Sequence, residues 1–112
     1  MTIEKLKAYG ANTDEGLARC LNDEGFYLML VGSALTDEQI QQLRSQIEAG
    51  DLAAAFETAH ALKGVYANLS LTPLYEAVFQ LTEHLRAREE MDYTPLVDKL
   101  SARMKELIEL GE

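Results

Sequence analysis

The chain has 112 residues, enough for one domain spanning 1–112 with a modest core, and too few for two. Its 10 basic and 19 acidic side chains give a net charge of −9, which argues against nucleic acid and anionic membrane surfaces as partners. The most apolar run, Phe26 to Leu35, falls short of the roughly 20 residues a bilayer span needs, and the single Cys20 has no partner for an internal disulfide. Met1 to Lys7 mixes charge with apolar residues and does not read as a signal peptide. A cytoplasmic protein is expected.

In chain order, almost everything reads as helix. Thr2 can cap a short first helix that turns Ile3 and Leu6 inward and ends at Gly10. Thr13 or Asp14 opens a second piece carrying Leu17 and Leu21. Asp23 to about Leu35 is helical and apolar nearly all round, with Phe26, Leu30 and Ala34 on one stripe and Tyr27, Val31 and Leu35 on the next. Such a helix is either central and wrapped by its neighbours, or leaves an apolar patch around Leu28 and Met29 for a partner.

Four longer helices follow, over roughly 36–49, 51–69, 72–88 and 94–110. Thr36 and Gln39 suggest a capping box, and Ile40, Leu43 and Ile47 recur at helical spacing. Gly50 ends that helix and Asp51 caps the next. Thr72-Pro73 and Thr94-Pro95 read as caps with proline at the first helical position. Leu74, Val78, Leu81 and Leu85 form one apolar stripe; Leu96, Leu100, Met104 and Leu107 form another. The connections are short, so neighbouring helices should be antiparallel. The expectation is an all-α, up-down-up-down four-helix bundle, with the short N-terminal helices covering it.

The stretch from Asp51 to Leu69 carries the chemistry. Helical spacing places Ala55, Ala59, Leu62, Tyr66 and Leu69 on one buried face. His60 leads the neighbouring stripe, with Lys63 at i+3, Gly64 at i+4 and Ala67 at i+7. Gly64 stands out, because glycine inside a helix costs about 1 kcal/mol relative to alanine. Either close helix packing or access to the imidazole would account for it. Neutral imidazole is a nucleophile, and an ammonium at i+3 can stabilise a phosphoryl group carried on the ring.

Other chemistries fit less well. Glu57-Thr58-Ala59-His60 matches half of a di-iron bundle motif, but the second half would need glutamate at position 81, where Leu81 stands. Cys20, His60 and His84 are too scattered for zinc, so no metal site is expected. His84, near a helix C-terminus, reads as a surface histidine.

The run Ala59-His60-Ala61-Leu62-Lys63-Gly64, followed by Ala67-Asn68-Leu69, resembles the signature of histidine-containing phosphotransfer (HPt) domains. Asp14 to Cys20, with Asp23 and Phe26-Tyr27, more weakly resembles the entry to many such domains. The family usually has small residues at the positions of Val65 and Tyr66, and often glycine where Ser70 stands. The resemblance implies a bundle whose His60 is phosphorylated, with Lys63 supporting the phosphoryl group and Gly64 leaving space. It implies response-regulator receiver domains or a hybrid histidine kinase as partners, docking around Phe56, Glu57, Ala67 and Thr82. Magnesium would come from the receiver, with no cofactor held by this chain, and a monomer is expected. No nucleotide-binding loop is present, so the chain should be a phosphocarrier rather than a kinase or an enzyme in the usual sense. Two rivals stand beside this: a docking module that binds a kinase or receiver without transfer, and the paired phosphotransferase bundle of a kinase.

Overall fold

The computed structural model describes residues 1–112 and contains seven helices and no strand. Three short helices open the chain: α1 (Ile3–Tyr9), α2 (Thr13–Arg19) and α3 (Glu24–Ser33). Four longer ones follow: α4 (Glu38–Glu48), α5 (Leu52–Asn68), α6 (Thr72–Arg86) and α7 (Thr94–Leu110). Each long helix packs on the next, and α4 also packs on α7, so the four close into the expected bundle. Arg44 of α4 and Asp98 of α7 pair at 2.9 Å across the closing seam.

The periodic apolar residues make the core. Ile40, Leu43, Ala55, Ala59, Leu62, Tyr66, Leu74, Val78, Leu81, Leu85, Leu100, Met104 and Leu107 are all buried in one cluster. The ends are set as the turn chemistry suggests. Asp51 accepts the Ala54 N–H through Oδ1, and Gly10 closes α1 at φ 110°, a left-handed conformation that glycine adopts freely.

Three local expectations are corrected. Thr36 and Gln39 make no capping box. The Thr36 hydroxyl takes the Glu38 N–H two residues on, and α4 starts at Glu38. Thr72 and Thr94 are not caps: each is the first helical residue, with proline second. Asp92 instead accepts the Thr94 N–H at 2.9 Å, and that bond holds its carboxyl below the usual carboxylate range. Leu21 is not carried on the second helix, which ends at Arg19. It lies past the end of α2 at φ 57° and is 91% exposed.

The N-terminal helices sit outside the bundle. α1 packs on α7, where the Tyr9 hydroxyl donates to the Arg103 carbonyl at 2.8 Å. Desolvation, with Glu106 nearby, pushes the Tyr9 pKa up and keeps it a donor. α3 is not a wrapped central helix. Only Tyr27 and Val31 are buried, while Met29 is 60% exposed and Phe26 faces solvent. Tyr27 reaches inward to donate to the Leu69 carbonyl at 2.8 Å, which ties α3 to the end of α5. Gly16 makes room for this ring: a Cβ there would lie 2.5 Å from its tip.

Candidate functional site

The geometry of α5 follows from its sequence. Ala55, Ala59, Leu62 and Tyr66 turn into the core, and this sends His60 and Gly64 to the solvent side. A Cβ built on Gly64 would meet nothing within 4 Å, so close helix packing does not account for the glycine. The surface one turn beyond His60 is open.

The imidazole is not free-standing. The Phe56 ring lies 5.7 Å from it, centroid to centroid, at 27°, in a stacked arrangement. Lys63 is half-buried, and its Nζ rests 5.6 Å from the centroid of the Phe79 ring on α6. Phe79 in turn packs beside Tyr75 at 5.9 Å. The α5–α6 seam beside His60 is therefore a ladder of rings and cations. Phe79 was missed by sequence reasoning because only the antiparallel packing of the two helices brings it opposite Lys63.

The other expected site residues fall in different places. Glu57 is exposed on the opposite flank of α5, facing α4, in a shallow hollow with Gln39, Gln42, Thr58 and Ala61. Ala67 is half-buried, and its carbonyl accepts from Arg19 Nη1 at 3.0 Å, so a side chain of α2 reaches the far end of the histidine stripe. Thr82 does not reach the surface. It is 0% exposed, and its hydroxyl donates to the Val78 carbonyl one turn back at 2.6 Å, so it offers nothing to a partner. Ser70 sits in the α5–α6 turn at φ 55°, a left-handed conformation that glycine would adopt with less strain.

His84 lies in the last turn of α6, two residues before its end. Its Nδ1 pairs with the Glu89 carboxylate, and the Tyr93 hydroxyl donates to the carbonyls of His84 and Glu89. No three His, Cys, Asp or Glu side chains come together as a possible metal cluster. No helix is long and apolar enough to cross a membrane.

A helical bundle that presents one stacked histidine beside a lysine and an open glycine is the arrangement expected of a phosphohistidine carrier. The model of the Hpt domain family matches residues 34–110, and the chain belongs to that family. The match spans the four-helix bundle and leaves α1 to α3 outside, so the weaker likeness at Asp14 to Cys20 lies beyond it. No curated protein and no solved structure gives a match to the chain. Membership of the family implies histidine phosphotransfer in two-component signalling, in which such domains carry phosphoryl groups and meet receiver and kinase domains.

Proposed function

We propose that this chain is a relay intermediate that takes a phosphoryl group onto His60 from the aspartyl phosphate of one receiver domain and passes it to another. The observation that carries this reading is the solvent-facing His60 ring, stacked on Phe56, with bare helix at Gly64 one turn on. A ring nitrogen attacks phosphorus in line. The N–P bond forms as the bond from phosphorus to the aspartyl oxygen breaks, and the electron pair leaves with the carboxylate. The reverse step discharges the group to the second receiver. A magnesium ion held by the receiver would screen the phosphoryl oxygens during transfer. The protein acts as a monomer in the cytoplasm.

Lys63 is the cation in reach along the stripe. Parked over Phe79, its ammonium is held by a contact worth only about 0.5–1 kcal/mol at an exposed site, so a dianionic phosphoryl group on His60 can draw it away. Lys63→Ala should slow phosphoryl acceptance roughly tenfold, and Lys63→Arg should keep most of the rate. Rapid-quench measurement of the labelled chain reads both. An alanine variant at the wild-type rate would remove Lys63 from the mechanism.

The function is tested by mixing the chain with a phosphorylated receiver and magnesium, then adding a second receiver. An acid-labile, base-stable phosphate should appear on this chain and then leave it for the second receiver. Tight binding without label would overturn the relay reading and leave a docking module.

A further inference from the structure

Phe56 is shared. One contact of its ring is His60, and two others are guanidiniums from the end of α6: Arg86 Cζ lies 5.0 Å from the ring centroid and Arg88 Cζ 5.3 Å. Arg88 is placed there by its backbone. At φ 53° it leaves the helix and folds back, with Nη1 donating to the Leu85 carbonyl. The arginines belong to a run that reads in sequence only as a charged helix end, and the HPt signature does not include them. Packing brings them to the same phenylalanine ring that stacks on the imidazole.

The charge distribution gives this a meaning. The chain carries −9 overall, yet Lys63, Arg86 and Arg88 gather along the seam that holds His60. A guanidinium near an aromatic ring keeps in-plane N–H donors available for carboxylates. Both arginines are exposed. Their local carboxylates satisfy them only in part: Glu83 stands 3.6 Å from Arg86 Nε, in an exposed pair of little worth, and Glu89 is engaged by His84. A domain that carries an aspartyl phosphate with magnesium would hold that ion through one or two carboxylates together with phosphate oxygens. The surface brought to His60 therefore carries carboxylates close to the phosphoryl group.

We infer that Arg86 and Arg88 are docking residues of the transfer face, held by Phe56 beside His60 to engage the carboxylates around a partner's aspartyl phosphate. The inference rests on the relay reading above and adds the element that steers a receiver onto the His60 face. Charges at the edge of an interface act chiefly on encounter rate and on its salt dependence.

The experiment compares wild type, Arg86→Ala/Arg88→Ala and Arg86→Lys/Arg88→Lys. Each is labelled by a phosphorylated receiver and, separately, by phosphoramidate, a small donor that needs no docking face. Reactions run at about 0.05 M and about 0.5 M salt, which changes the screening length severalfold. In the double alanine variant, the ratio of receiver-driven to phosphoramidate-driven rate should fall roughly tenfold at low salt and converge on wild type at high salt. The lysine variant should recover most of the ratio. An unchanged ratio at both salt concentrations would overturn the role of the pair while leaving the relay intact. So would an equal fall in both rates, which would mean that the arginines act only on Phe56 and His60. Labelling of wild type by phosphoramidate but by no receiver would overturn the relay reading itself, and the pair's role with it.

Discussion

Gly64→Gln should fold at least as stably as wild type and transfer phosphate on the order of a hundredfold more slowly. The two effects have separate causes. Gly64 is exposed in the middle of α5, so any helix-forming residue there gains about 0.5–1 kcal/mol of stability. Nothing in the fold opposes the new side chain, since a Cβ would meet no atom within 4 Å. That same empty space is where a donor domain must come to bring phosphorus within bonding reach of the His60 ring. A displacement of about 1 Å at the reacting atoms is enough to cost about a hundredfold in rate. Gly64→Ala, adding one methyl group, should share the stability gain and lose far less transfer. Thermal melts and rapid-quench transfer assays on the same samples read both quantities. A glutamine variant that transfers at the wild-type rate would remove the steric role of Gly64. One that melts early would show that the glycine serves packing after all.

Gly16→Ala should do the reverse, destabilising the protein by about 2–3 kcal/mol and lowering Tm by on the order of 10 °C. Its Cβ would sit 2.5 Å from the Cζ and hydroxyl of Tyr27, well inside any tolerated contact. The tip of a tyrosine can often swing aside. This one is fully buried, and its hydroxyl is committed to the Leu69 carbonyl at 2.8 Å. Moving it strands that carbonyl and opens the joint between α3 and the end of the histidine helix. The gain in helix propensity from glycine to alanine, about 1 kcal/mol, is already set against this. Adding Tyr27→Leu should relieve the clash, so the double variant should be more stable than the sum of the two single changes predicts. Chemical denaturation of the four proteins checks this. Strict additivity, or a stable Gly16→Ala, would contradict the contact.

The bundle was legible because its helices are amphipathic and punctuated. Ile40, Leu43, Leu74, Val78, Leu100 and Met104 recur at helical spacing, and Gly50, Asp51, Pro73 and Pro95 mark the breaks. α3 lacked that information. It is apolar all round, so its sequence names no inward face, and only the structure shows that Tyr27 and Val31 are chosen while Phe26 and Met29 remain outside. The stripe of His60, Lys63 and Gly64 was legible as a surface feature because the alanines opposite it had to be buried. Its surroundings were not. Phe79, Arg86 and Arg88 reach Lys63 and Phe56 across two antiparallel helices, and no local pattern encodes that register. Thr82 was misplaced for a related reason: a threonine hydroxyl can satisfy itself on the carbonyl one turn back and enter the core at little cost.

The most direct test of the account locates the phosphate. Wild type, His60→Ala and His84→Ala would each be incubated with the same phosphorylated receiver and magnesium, and the acid-labile label followed with time. The account predicts full labelling of wild type and His84→Ala, and none of His60→Ala while it still folds and binds the receiver. Label persisting in His60→Ala, or lost in His84→Ala, would contradict it.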